Sequence, residues 1–393
     1  METTPVTGLD ELDKHLDDLI QDPSLTLNPK LFDDVELQLT ESNIPPLIPR
    51  FLPRLTTVLK QYTEDPTAIV NLTIKLLGPV PFEDVFSLAQ SDELIVALDS
   101  PAPAANLLGM AILHKATAAP RFISFFCTHP DLVAAFIRRW LVAPQVEVGQ
   151  KGGKVLGDLL DIDSAQPPPP PPTRPADASH TDLSIRRAPG EGTLWNLLFR
   201  GPHMYALLIG LVSGRHPDTL DNPRQLSLAQ GRVLRLLPRL AAIDFPAVSH
   251  SHFPAPPTLA LFINGDATNG SFEENGAENG ETHPAPAPLR PPQPGEGLLQ
   301  FAALRLVQRT DLLMHLSLVD FFETLVALMR VTAPSADKLA TLRAVVGEAV
   351  AGDEVLREAL LSLPDRTVEE EAEDLRRWLG EVLPGEEVRL AVR

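Results

Sequence analysis

Apolar residues recur along this chain at every third or fourth position, in segments of roughly ten to twenty residues joined by proline, glycine or aspartate. Leu9, Leu12, Leu16 and Leu19 step this way, and so do Leu339, Leu342, Val346 and Ala349. Val368, Ala372, Leu375, Leu379 and Val382 repeat the pattern near the C-terminus. Such spacing lays an apolar stripe along one side of a helix, where a neighbouring helix must cover it. The alternation that marks a half-buried strand is almost absent, so the pattern predicts an all-α chain.

Start signals reinforce the periodicity. Asn28–Pro29 and Asp65–Pro66 each offer a capping side chain followed by the proline that suits a first helical turn. His129–Pro130 and Gly201–Pro202 look like further starts. Thr7 before Leu9, with Asp10 three residues on, reads as a loose capping box, and Thr367 with Glu370 as a full one. Lys151–Lys154, reading KGGK, lacks the spacing and hydroxyl of a phosphate-binding loop and predicts a turn or the beginning of a helix.

Two segments break the rhythm. Residues 164–190 include six consecutive prolines, Pro167–Pro172, which favour polyproline II. Residues 264–296 contain four Asn-Gly pairs, several glutamates and a proline run, the composition of a disordered insertion. They divide the helical pattern into blocks at 1–163, 191–263 and 297–393. The spacing of helix pairs fits the ~40–47 residues of HEAT or armadillo units, so the expected fold is a HEAT/armadillo-like α-solenoid carrying two disordered insertions. Such an array escapes the size limit of a single compact core, which a chain of 393 residues would otherwise strain.

Charge narrows the partners. The net charge of −19 opposes general nucleic-acid binding, which needs clustered cations, and opposes anionic membranes. Residues 1–100 carry 6 Lys and Arg against 18 Asp and Glu, whereas residues 174–240 carry 9 Arg against 5 acids. An acidic arm beside a basic middle suits a charge-patterned protein partner. Cys127 is the single cysteine, in an apolar stretch where a buried thiol is the expected role, and no cysteine-based zinc site is possible. The N-terminus has no signal-peptide pattern, and the most apolar stretches, such as Tyr205–Val212, fall short of the ~20 residues of a membrane span. A soluble protein of the cytoplasm, with the nucleus as a further compartment, is expected.

Catalytic constellations are thin. His250 and His252 lack a third metal ligand, the run from Asn264 to Asn269 lacks the spacing of a calcium loop, and no hydrolase elbow or paired metalloprotease histidines occur. No enzymatic activity, cofactor or metal is expected. Binding candidates are clearer. Arg224, Arg232, Arg235 and Arg239 fall near one face of a helix around Gln225–Ile243, opposite Leu226, Val233, Leu236 and Leu240. That row is either a solvated face or a surface for carboxylates, which the guanidinium fork engages at two points. His315 and Asp320 interrupt the most hydrophobic C-terminal stretch; each either pairs within the helix stack or, for Asp320, meets a partner. Pro169, Pro172 and Arg174 fit a P-x-x-P-x-R ligand as well as a spacer.

Three stretches resemble one family: GGKVLGDLLDID (152–163), QLSLAQGRVLRLLPRLAAIDFPAV (225–248) and GLLQFAALRLVQRTDLLMHLSLVDFFETLVALMRV (297–331). They are similar to fungal members of the helical-repeat chaperones that assemble the base of the proteasome regulatory particle. These are relatives of the yeast protein first named for mismatch repair and of proteasome non-ATPase regulatory subunit five. The resemblance implies a solenoid that grips the C-terminal domain of one ATPase subunit in an assembly intermediate, a monomer when free, without catalysis. A scaffold for another complex is the alternative. A mismatch-repair accessory role is a further one, which the acidic balance opposes.

Overall fold

The computed structural model describes residues 6–166, 189–251, 253 and 295–383. Among these residues the fold is all-α, with no strand and a single isolated antiparallel bridge between His250 and Glu296. Two compact units make up the chain, Met1–Val155 and Leu156–Arg393. The proline tract Pro167–Pro172, the P-x-x-P-x-R match and the Asn-Gly segment lie outside the described residues.

The first ten helices are α1 (Leu9–Gln21), α2 (Pro29–Gln38), α3 (Ile48–Gln61), α4 (Thr67–Leu77), α5 (Phe82–Leu88), α6 (Ser91–Asp99), α7 (Pro103–His114), α8 (Pro120–Cys127), α9 (Pro130–Val142) and α10 (Val146–Asp163). The division between units falls inside α10. The second ten are α11 (Thr193–Phe199), α12 (Pro202–Val212), α13 (Pro217–Leu220), α14 (Pro223–Ile243), α15 (Phe245–Ser249), α16 (Leu298–Leu304), α17 (Leu312–Val331), α18 (Ala336–Val350), α19 (Glu354–Ser362) and α20 (Glu369–Val382).

Prolines start these helices because the missing N–H costs nothing in a first turn, where no acceptor precedes it. Pro29, Pro103, Pro120, Pro130, Pro202 and Pro223 all occupy that position. Both threonine capping boxes fail, however. Gly8, at φ +83°, is the N-cap of α1, a left-handed turn that Thr7 could not make cheaply; Thr7 instead bonds Gln38 Oε1 through its N–H at 2.8 Å. Thr367 donates its hydroxyl back to Leu363 O at 2.9 Å, closing the preceding 3₁₀ turn and leaving Val368 to begin α20 without a side-chain cap.

In the first unit, α1 packs on α3, α2 on α4, α4 on α7, and α6 on both α7 and α9. Each helix thus meets one close ahead of it in the chain. The predicted stripe is buried at Leu12, Leu16 and Leu19. Arg54 reaches Asp13 at 2.6 Å, and Arg50 reaches Asp10 at 2.9 Å and Asp13 as well, tying α3 to α1 along the edge of that core. The KGGK segment is neither a turn nor a helix start but the interior of α10. Its glycines admit Trp140: a Cβ at Gly152 would lie 2.8 Å from Trp140 Cδ1. Cys127 is half-buried rather than enclosed.

In the second unit α14 is the hub, packed most extensively on α17 and also on α12, α13, α15 and α16. Further along the chain, α16 packs on α18, α17 on α19 and α20, and α18 on α20. The stripes of α18 and α20 are buried at Leu342, Val346, Ala349, Ala372, Leu375, Leu379 and Val382. One expectation is corrected here: α17, at 20 residues, is long and apolar enough to cross a membrane. Counting unbroken apolar runs missed it, because Ser317, Asp320 and Glu323 punctuate a helix whose total apolarity is high. Its inner side packs on α14 within the fold.

Two joints hold the ends of the low-complexity segments. Asp163 is fully buried and accepts hydrogen bonds from the backbone N–H of Thr193 (3.1 Å), Leu194 (2.7 Å) and Trp195 (3.2 Å), capping α11 across the gap in sequence. Gly190 N–H donates to Ser164 O at 2.7 Å in the same joint. Beyond α15, the bridge from His250 to Glu296 is joined by Gln300, which donates to Ser249 O at 2.6 Å.

Candidate functional site

The arginine row lies on α14. Asn222 caps that helix by accepting the Gln225 N–H at 3.1 Å, and Pro223 starts it. Its apolar side, with Val233, Leu236, Leu237 and Leu240, is buried. At 100° per residue the four arginines fall within about a quarter-turn of one another. Their environments nevertheless differ. Arg224 and Arg235 are exposed. Arg239 turns back onto α10, with Nη2 2.8 Å from Asp158 and 4.0 Å from Asp161. Gly157 makes room for it, since a Cβ there would lie 2.4 Å from Arg239 Nη1. Arg232 is half-buried, and burial pulls its guanidinium down to about 10.

The second sequence candidate lies on α17. Asp311 caps it, its Oδ1 accepting the N–H groups of Leu313 (3.0 Å) and Met314 (3.1 Å). Met314, Leu318, Phe321, Phe322, Leu325, Val326 and Met329 are buried. The opposite side of the first turns is apolar too, and uncovered: Leu312 is 72% exposed, Leu313 73% and Leu316 53%. Asp320 is exposed and falls on that same side, eight residues beyond Leu312.

His315 faces inward instead. Its Nε2 lies 2.8 Å from Asp353 Oδ2, and Arg309 Nη1 lies 3.3 Å from the same oxygen. Asp353 Oδ1 meanwhile accepts the Leu356 N–H at 3.0 Å, so one buried carboxylate caps α19 and straps it to α17. Further along α17, Arg366 pairs with Glu323 at 2.5 Å and Arg330 with Glu371. Lys338 donates to Thr332 Oγ1 at 2.7 Å beside the C-terminus of α17, and burial lowers its ammonium.

These groups cap helices and strap them together. Among the described residues no group of three or more His, Cys, Asp or Glu side chains could hold a metal ion. His250 sits in the bridge to Glu296, its Nδ1 2.9 Å from Ser249 Oγ, while His252 lies outside the described residues.

The structure thus distributes the predicted residues: Arg224, Arg235 and Asp320 at the surface, Arg232 and Arg239 engaged with the fold. The leucines at 312, 313 and 316 escaped sequence reasoning, which assigned that stretch to the helix stack. A signal was present, since Leu312, Leu313 and Leu316 fall on one side of the helical repeat and Leu318, Phe322 and Leu325 on the other, more apolar surface than one neighbour can cover. The segments 152–163, 225–248 and 297–331 supply α10, α14–α15 and α16–α17. In the second unit Arg239 joins α14 to α10, α14 packs on α17, and α15 on α16. No protein-family model, no curated protein and no solved structure matches this chain.

Proposed function

We propose that this chain is a non-catalytic chaperone that binds the C-terminal domain of an ATPase subunit and assists assembly of the base of the proteasome regulatory particle. The observation that carries the proposal is the meeting of the three family-like segments in a single packed arrangement around α14. They are dispersed in sequence, and their meeting at α14, through the pair of Arg239 with Asp158 and the packing of α14 on α17, supports a common functional element. The first unit, in which each helix packs on one close ahead of it, supports a HEAT/armadillo-like solenoid, an architecture whose inner rows of side chains suit large partner surfaces.

In this reading Arg224, Arg235 and Asp320 are the polar contacts offered to the partner, with Arg232 and Arg239 shaping the helix behind them. The protein works in the cytoplasm and nucleus, free as a monomer. Co-purification of the tagged full chain from cells tests the reading: a proteasome ATPase subunit should be recovered in an intermediate lacking the core particle. Recovery of other complexes with no such subunit would sink it in favour of a scaffold elsewhere.

A further inference from the structure

We propose that the outer face of the first half of α17 is a docking site for a cationic amphipathic helix of a protein partner. Leu312 and Leu316 are one helical turn apart and Leu313 lies beside them, so the three form a short continuous ridge instead of scattered apolar points. Single exposed leucines are ordinary on soluble proteins, but a contiguous set on a helix already buried on its other side marks a surface awaiting cover. The bond between His315 and Asp353 ties the first turn of α19 to α17, and in that turn Val355 is 57% exposed. An exposed leucine ridge receives an incoming helix through apolar anchors at i, i+3 and i+4.

Charge selects the occupant. Basic groups on or against α17 are already held: Arg309 by Asp353, Arg366 by Glu323 and Arg330 by Glu371. Asp320 and Glu354 are exposed, and among the described residues neither is ion-paired. The apolar ridge therefore runs toward an uncompensated carboxylate at Asp320, and complementarity calls for lysine or arginine beside the incoming apolar stripe. A second copy of this chain would bring the same carboxylates against each other, on top of a net charge of −19. An anionic lipid surface would meet the same repulsion.

The test uses the full chain and two fluorescent amphipathic helical peptides with the same leucine stripe, one carrying lysine and the other glutamate on its polar side. Anisotropy should show binding of the lysine peptide, weakening with salt, and none of the glutamate peptide. The double variant Leu312→Asp/Leu316→Asp should lose roughly tenfold or more in affinity, as expected when a buried anchor becomes charged. Asp320→Lys should weaken the lysine peptide and admit the glutamate peptide, a swap that damage to the fold would not produce. All three substituted positions are surface ones, and circular dichroism should show unchanged melting. Equal binding of both peptides, or binding indifferent to these variants, overturns the proposal. So does a dimer lost in the double variant, or tighter binding to phosphatidylserine vesicles than to the lysine peptide. The proposal stands apart from the proteasome reading: peptide binding without ATPase recovery defeats only that reading, and ATPase recovery without peptide binding defeats only this one.

Discussion

Replacing Asp163 by alanine should release the N-terminus of α11 and destabilise the second unit by about 2–4 kcal/mol. The carboxylate is fully buried and accepts from three consecutive backbone N–H groups, at 3.1, 2.7 and 3.2 Å. Losing an N-cap typically costs ~1 kcal/mol. Here two more donors lose their acceptor in a site closed to water, each adding on the order of 1 kcal/mol. Removing a desolvated charge returns part of that cost. Asparagine keeps one acceptor oxygen but points an amide toward the donors, so Asp163→Asn should fall between wild type and alanine.

The pH dependence supplies a second arm. Burial raises the Asp163 carboxyl above its ordinary value, outweighing the three N–H bonds and leaving the folded state the tighter proton binder. The ionised form therefore carries a penalty that is complete above the folded pKa and gone below the unfolded value of about 3.9. Wild type should gain stability relative to Asp163→Asn as pH falls from neutral through the folded pKa. Urea unfolding followed by Trp195 fluorescence, with amide exchange at Thr193–Trp195, measures both arms. An alanine variant within about 0.5 kcal/mol of wild type, or a pH trend of the opposite sign, would refute the reasoning.

Gly231→Ala in α14 has no heavy atom within 4 Å of the added Cβ and should stabilise by about 0.5–1 kcal/mol through helix propensity. Gly157→Ala should show no such gain, because its Cβ meets Arg239 Nη1 at 2.4 Å and Leu236 Cδ1 at 3.2 Å and dislodges the pair with Asp158; thermal unfolding of the two variants side by side checks the contrast. Asp353→Ala strands His315 and Arg309 as well as the first turn of α19, and should lower the stability of the second unit by about 2–3 kcal/mol in urea titration. Replacing residues 167–188 by a short Gly-Ser linker should leave melting almost unchanged, since the joint at Ser164, Gly190 and Asp163 holds both ends and loop-closure entropy changes by only about 0.6 kcal/mol per doubling of length.

Much of the fold was legible in the sequence because its signals are local. Proline in the first turn, Asn28 ahead of Leu31 and the three-and-four spacing of Leu12, Leu16 and Leu19 act within one or two turns and need no distant neighbour. The failures have the opposite character. Thr7 and Thr367 carry capping side chains, but Gln38 and Leu363 take their hydrogen bonds first. The glycines of the KGGK segment read as a turn until Trp140 comes to lie against Gly152.

The candidate site divides along the same line. Periodicity determined that Arg224, Arg232, Arg235 and Arg239 share a side of one helix, because the α-helix repeat alone fixes that angle. Whether each meets water depends on which helix arrives beside it, and only the tertiary structure could set Asp158 against Arg239 while leaving Arg235 exposed. Sequence likewise determined that the first turns of α17 carry apolar residues on both sides. Only packing decided which side α14 would cover, leaving Leu312, Leu313 and Leu316 uncovered. Backbone periodicity is written by residues a turn apart, whereas burial is decided by helices that the chain brings back from far along its length.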